Sequence, residues 1–436
     1  MAGISAVSSG MAVALLYVLG RSMWDRTTGL TAALFLASSP WFWFYGEIAL
    51  PHGLDTLVVI FAVWLFYRIV QGHVELAVPA AIWLGVAGGL RPQTQVFLLP
   101  LALYAASRLG WRRRLLALAA LMIVDLAWLI PLIRLSGGLS RYLEVTRSFF
   151  LAFNVRTSIF SGGGLWGVMR NLGKLGMYAS YGWGFASLVG LAAGAKLLRS
   201  SSTMAGLWQD VRFRFALIWI FPALAYYTLV HMGQQGLVFV FLPVLLLGSA
   251  RGISYLVGSL SRGHRLAAAV VILNAALFLI ASTFPLGGTK LKLLTLDTLR
   301  RHDSYYLSRL EAVRGHFSPQ HTALLSTAWR FPEYYLSDYA LLPYELGARW
   351  EVGEGLPLRE SEEWVDASTL GLTADRDGFY YLILFDDGLL PFNLSADRQE
   401  WLSLANGESL GYMRFLPQER IYLGPRGYGL VAQDMP

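Results

Sequence analysis

Residues 77–108 read AVPAAIWLGVAGGLRPQTQVFLLPLALYAASR, two apolar runs separated by Gly88-Gly89-Leu90-Arg91-Pro92. Each run is shorter than the roughly 20 apolar residues that a membrane-spanning helix needs. A proline pushes the residue before it out of the α region, so Arg91-Pro92 predicts an interruption. Interrupted backbone at membrane depth survives only where protein or a sheltered cavity surrounds it. The stretch therefore predicts two half-helices meeting in a protein-lined cavity inside a larger bundle.

The rest of the chain supplies that bundle. Of 436 residues, 55% are apolar or aromatic and only 14% are charged, against about 25% charged in an average soluble domain. That excludes an ordinary soluble enzyme. Besides the two half-helices (77–90 and 94–108), apolar segments fall near 2–20, 29–46, 56–71, 115–134, 176–197, 214–231, 235–250 and 264–286, about ten in all. Residues 1–288 hold 21 Lys/Arg against 7 Asp/Glu, and residues 289–436 hold 14 against 21. We read 1–288 as a polytopic α-helical membrane domain and 289–436 as a separate soluble domain.

Cationic loops stay on the cytoplasmic side. Alternate connections contain 14 Lys/Arg, among them Arg112-Arg113-Arg114, and the opposite face has seven. This assigns the loops around Glu47 to Asp55, Arg91, 134–175 and His231 to the outside, together with both chain ends. An exported start with no preceding span is unusual. The expectation is a chain that begins one helix late; the alternative is a native N-out protein. Beyond Gly287-Gly288, a surface helix is expected at 297–317, strands at 322–327, 379–385 and 420–423, and helix-like segments at 332–336 and 396–404, which favours a small α/β domain. Asp386-Asp387-Gly388 reads either as a cation site or as a glycine-bearing turn after a strand.

Ionisable groups at the membrane mouth are costly to hold there and point to function. Glu47, His52 and Asp55 lie within nine residues of one short outer loop, where they can act as general base, metal ligands or sugar orienters, or simply cap helix ends. The Arg91-Pro92-Gln93-Thr94-Gln95 turn offers a guanidinium and two amides, suited to gripping a phosphate or to snorkelling. The long loop adds Arg147 and Arg156 with aromatics, fit for an anionic lipid head group with its sugar or for an amphipathic helix on the surface. His231 and Gln234 form a polar turn that either contacts a ligand or only connects two helices. Trp41, Trp43 and Tyr45 read as an interfacial anchoring belt. Cysteine is absent, which removes thiol catalysis and Cys-based metal sites, and no Gly-Lys-Ser/Thr follows the Gly162-Gly163-Gly164 run. No cofactor is fixed by these residues, a divalent cation remaining an option, and nothing points to nucleic acid.

The order Thr31-Ala32-Ala33-Leu34, Ser39-Pro40, Tyr45, an outer loop ending in Asp55, then Gly88-Gly89-Leu90-Arg91-Pro92-Gln93-Thr94, then Gly236 and Leu242-Pro243, resembles a family. It is that of the bacterial polyprenyl-phosphate-sugar glycosyltransferases of the protein mannosyltransferase and aminoarabinose transferase type, with the GT-C fold. The resemblance covers roughly 1–286. It implies an inverting transfer from a polyprenyl-phosphate-linked sugar donor to a lipid, glycan or protein acceptor at the outer face of the bacterial inner membrane, with the C-terminal domain extracytoplasmic. It also implies that Asp55 matches an acidic residue of the second outer loop and that Arg91 sits at a polar break. The family's principal carboxylate belongs to a first outer loop, which a chain beginning one helix late would lack, so the resemblance implies either an N-terminally truncated transferase or an inactive copy; Glu47 is the candidate substitute. A permease, flippase or scaffold for lipid-linked sugars is the alternative. Transporters favour paired halves with midplane charges, and here no paired halves are visible and Asp125 is the only mid-span carboxylate.

Overall fold

The computed structural model of the chain describes residues 2–199, 206–281, 294–327, 330–343, 364–365, 370–386, 389, 399–417, 419 and 421–422. These form two compact units, Met1–Thr298 and Leu299–Pro436. The boundary expected at Gly287-Gly288 lies outside the described residues.

The first unit opens with helices α1 (Ala2–Met23) and α2 (Arg26–Ala37). Asp25 caps α2, accepting from the Thr28 amide at 2.7 Å. The two helices approach so closely that a Cβ on Gly20 or Gly29 would strike backbone of the other. The segment expected as one span at 29–46 is broken: a short α3 (Pro40–Glu47) follows α2, because Ser38 turns its hydroxyl back to Leu34 O and Pro40 can only start a new helix. After an irregular outer loop comes α4 (His52–Val70).

The predicted interruption is present. Helices α5 (Ala77–Leu90) and α6 (Pro92–Ala106) flank Arg91, whose φ −156° and ψ 101° are the extended values that Pro92 requires. At 1.5 Å per residue neither helix reaches much beyond ~22 Å, short of a ~30 Å hydrocarbon core. The glycines of α5 make close packing there feasible: a side chain at Gly88 would collide with Gln95, and one at Gly85 or Gly89 with Val124 or Trp128. Those last two belong to α7 (Trp111–Leu135), a 25-residue helix with no fully buried residue, so its outer face is made for lipid.

The loop expected at 134–174 is largely helical. It forms α8 (Leu139–Asn154), with Leu143, Phe149 and Phe150 exposed alongside Arg141 and Arg147, as the surface-helix reading required. It then enters α9 (Gly164–Trp183), which stops at Gly184 with φ +58° before α10 (Ala186–Leu198). The expected span at 176–197 is thus two helices, and Asn274 packs where a Cβ on Gly184 would lie. The unit closes with α11 (Val211–Leu229), a 3₁₀ turn over Gln235–Val240, α12 (Leu242–Val257) and α13 (Leu260–Ile280). Among the described residues, α1, α4, α7 and α13 are long and apolar enough to cross a bilayer alone. The shorter helices pack against them. Trp41 and Tyr45, expected at the interface, are core residues: Trp41 donates its indole N–H to Tyr178 O at 2.9 Å and is 1% exposed, and Tyr45 is likewise buried. An aromatic run looks alike in a belt and in a core, and only partners separate the two.

In the second unit a mixed sheet has the order β2-β1-β4-β6-β5, from β1 (Thr322–Ser326), β2 (Ala340–Pro343), β4 (Tyr380–Leu384), β5 (Gln399–Ser403) and β6 (Ser409–Phe415); β3 (Trp364–Val365) pairs separately with β7 (Ile421–Tyr422). Strand β1 is parallel to β2 and β4, and β6 is antiparallel to its neighbours. Helix α14 (Leu296–His316) covers one face with Leu310 and Val313 against Leu324 and Ile383, and a short α15 (Arg330–Tyr335) follows β1. The α/β expectation holds, with one correction: 396–404, expected as helix-like, carries β5. The Asn406-Gly407 pair, Gly407 at φ +84°, turns this strand into β6 and sets its register. Asp386 accepts from Ser326 and Thr327 hydroxyls, both at 2.9 Å, closing the loop after β1. Asp387 and Gly388 lie outside the described residues.

Candidate active site

Three helix ends converge at the polar break. Asp55 sits in the first turn of α4, where a carboxylate complements the helix dipole. It is 3% exposed. One oxygen, Oδ2, accepts from Arg91 Nη1 at 3.1 Å, and Oδ1 accepts from Thr94 Oγ1 at 2.7 Å. Arg91 precedes α6 and Thr94 lies in its first turn, so the clasp ties the break to the start of α4. Arg91 keeps 20% of its side chain exposed against 4% for Asp55. A cation thus stands at the edge of the site with its counter-charge sealed behind it.

Two tyrosines of α11 adjoin the clasp. Gln93 donates to the Tyr226 hydroxyl at 3.2 Å. The buried Tyr227 hydroxyl has no hydrogen-bond partner among the described residues and lies close enough to feel Arg91 and Asp55. Gln95 is engaged elsewhere: its amide donates to both oxygens of Asp125, at 3.0 and 2.8 Å, and so fastens α6 to α7.

His52 begins α4 and is 2% exposed, with neither ring nitrogen hydrogen-bonded among the described residues. It lies edge-on to Tyr45 at 4.8 Å between ring centroids, against the backbone of Gly236. The Tyr45 hydroxyl donates to Gln235 Oε1 at 3.0 Å. Glu47, ending α3 just before this loop, is exposed and has no hydrogen-bond or ion-pair partner among the described residues.

The turn after α11 holds a further polar set. His231 Nδ1 shares a 3.0 Å hydrogen bond with Thr157 Oγ1, and Asn171 ties the turn down by donating to Thr157 O and Thr228 O while accepting from the Met232 amide. Burial, then the charges of Lys174 and Arg170, lower the His231 pKa to about 4, so the ring is neutral near pH 7. Gln234 is exposed, as are Arg147 on α8 and Arg156 just after it. The sequence candidates therefore separate. Asp55, Arg91 and Gln93 gather at the break, His52 and His231 flank the 231–240 turn, Gln95 serves a helix contact, and Glu47, Gln234, Arg147 and Arg156 lie on the surface.

Sequence reasoning passed over Thr94, Tyr226, Tyr227, Gln235, Thr157 and Asn171. Thr94 was inside the motif and its place in the first turn of a helix was a usable signal; the others sit in apolar or loop sequence and are recruited by packing across the fold. Among the described residues no three His, Asp or Glu gather to hold an ion, and both Asp55 oxygens are already engaged.

Comparison with known proteins agrees with the resemblance read from the sequence. Residues 1–134 match the family model for dolichyl-phosphate-mannose-protein mannosyltransferase. The crystal structure of ArnT from Cupriavidus metallidurans bound to undecaprenyl phosphate superposes with a TM-score of 0.55 at 12% identity, covering 95% of this chain and 83% of that one. The oligosaccharyltransferase of Archaeoglobus fulgidus, solved with Zn and sulfate, gives 0.44 at 14% identity over 96% and 62%. No curated protein matches the chain at the sequence level.

Proposed function

We propose that the chain, an integral membrane protein with the fold of ArnT whose residues 1–134 match the mannosyltransferase family model, transfers a sugar from a polyprenyl-phosphate carrier to an acceptor hydroxyl. The observation that carries this reading is the clasp of Asp55, Arg91 and Thr94 at the broken helix.

In the proposed reaction the acceptor oxygen attacks the anomeric carbon as the bond from that carbon to the phosphate oxygen breaks. The carbon inverts, the polyprenyl phosphate leaves with the bonding pair, and the acceptor's proton passes to a base. Negative charge grows on the departing phosphate, and a preoriented guanidinium is strongest where water is scarce. Arg91 fills that role. Asp55, with both oxygens committed, orients Arg91, and Thr94 fixes Asp55. Glu47 is the carboxylate left open to receive the proton, a role worth about 10²–10⁴ in rate. His52, Gln93, His231, Gln234, Arg147 and Arg156 bind the donor in this scheme, and Gln95 acts through its hold on α7.

The ArnT structure contains undecaprenyl phosphate, which supports this donor class. The division of Lys/Arg among the loops supports a site on the extracytoplasmic face of a bacterial plasma membrane, with residues 289–436 as an extracytoplasmic domain. The test is transfer by purified protein from an undecaprenyl-phosphate sugar. Arg91→Lys keeps a cation beside Asp55 but loses the planar fork, and transfer should fall more than tenfold with normal expression. Transfer unchanged in both Arg91→Lys and Arg91→Ala would sink the reading.

A further inference from the structure

The far end of the same helices carries a second feature. An apolar groove of about 280 Å³ runs between α4, α5, α6 and α7, lined by Phe66, Ala80, Leu84, Ala102, Ala106 and Ala117 among others, with Arg114 at its edge. Its residues come from the end of α4, the start of α5, the end of α6 and the start of α7. The clasp uses the opposite end of α4, α5 and α6, so the two features lie at opposite ends of the bundle.

The charges around this end are lopsided. Arg108, Arg112, Arg113 and Arg114 are all exposed. Arg114 is held across the last turn of α6, donating from Nε to Ala106 O at 3.0 Å and from Nη2 to Ser107 O at 3.2 Å. Arg108 lies over Tyr104 and Arg112 over Trp111, and Trp111 is 66% exposed. An exposed tryptophan among arginines marks the headgroup level, which sets the groove just inside the hydrocarbon. At this end Glu75 is solvent-exposed and paired with His73 at 3.1 Å, and Asp210 caps the start of α11.

We infer that this groove holds an acyl chain of an anionic phospholipid whose phosphate rests on Arg114 at the groove's edge and on its exposed sequence neighbour Arg113. Small alanine side chains leave room for a chain along the helices, and a guanidinium can hold a phosphodiester through two parallel hydrogen bonds. Basic pockets between spanning helices are a recurrent way to hold acidic lipid. The bound lipid would splint α7, which the Gln95 to Asp125 contact also ties to α6.

Native mass spectrometry of the purified full chain in detergent, titrated separately with dioleoylphosphatidylglycerol and dioleoylphosphatidylcholine, tests this. The phosphatidylglycerol should bind at least tenfold more tightly. Arg113→Gln combined with Arg114→Gln should bring it down to the phosphatidylcholine level. Ala117→Phe, or Leu118→Trp at a more exposed wall position, should weaken both lipids at least tenfold, while Ala119→Phe, outside the groove lining, should not; monodisperse elution of each variant guards against misfolding. Equal binding of the two lipids, or undiminished binding in both groove-filled variants, would overturn the assignment. So would undecaprenyl phosphate displacing phosphatidylglycerol at substoichiometric amounts, which would make the groove a carrier site.

Discussion

Asp55 and Asp125 are both carboxylates within apolar helices, and both are held by the first turn of α6 or the residue before it, yet they are held differently. Asp55 is buried and bonded to a cation, Arg91, and to Thr94. Asp125 is half-buried on a lipid-facing helix and bonded to a neutral amide, Gln95, with Trp128 Nε1 at 3.4 Å. Residues 94 and 95 point about 100° apart on a helix of 3.6 residues per turn, so one short turn grips two neighbours at once. A carboxylate that positions a reactive cation and one that merely fastens a helix should respond differently to the same substitution.

The largest effect is expected from Asp55→Ala. Removing one partner of a buried ion pair costs about 3–5 kcal/mol, and transfer should fall by more than 100-fold; thermal unfolding in detergent and donor turnover read the two separately. Asp55→Leu with Arg91→Met should recover much of the stability, since apolar isosteres often replace a buried pair without loss, but none of the transfer. Recovery of transfer in that double variant would break the comparison at its first limb.

Asp125→Leu comes next, with a loss of about 1–3 kcal/mol from the unsatisfied Gln95 amide and a reduction of transfer below tenfold. Asp125→Asn preserves a hydrogen-bonding partner and should be close to wild type in both. If Asp125→Asn instead abolished turnover while unfolding normally, the charge would matter and the two carboxylates would be alike.

The smallest effect concerns His231. Its folded pKa of about 4 lies below the ordinary 6.5, so the unfolded chain binds the proton more readily. The ring's contribution to stability is complete above pH 6.5, declines as pH falls towards 4, and is gone below that. His231→Gln should flatten the dependence of the melting temperature on pH between 6.5 and 4. An unchanged slope would show that other groups govern this window.

The break at Arg91 was legible because proline, glycine and polar residues stand together in an apolar run. The breaks at Ser38 to Pro40 and at Gly184 were written in the same alphabet, but apolar residues continue on both sides and hydropathy averages over them. The clasp was half legible. Asp55 and Arg91 were each conspicuous as charges, whereas their pairing spans 36 positions and is made by the fold. Asp125 was visible and its partner was not, for the same reason. In the second unit, β5 was hidden by helix-compatible residues, and the Asn406-Gly407 pair that revealed it acts only once both strands exist to be joined.

The order of the clasp along the chain also bears on how the protein is made. Synthesis runs from the N-terminus, so Asp55 leaves the ribosome 36 residues before the Arg91 that neutralises it, whereas Gln95 is already in place when Asp125 arrives 30 residues later. A lone carboxylate costs about 2.5–3.5 kcal/mol at the centre of a spanning helix on insertion scales and less in the first turn, where Asp55 stands, but its burial without Arg91 is still unfavourable. Helix α4 therefore gains by lingering in the translocation channel until α5 and the Arg91 turn have followed it, and α7 can pass into lipid at once.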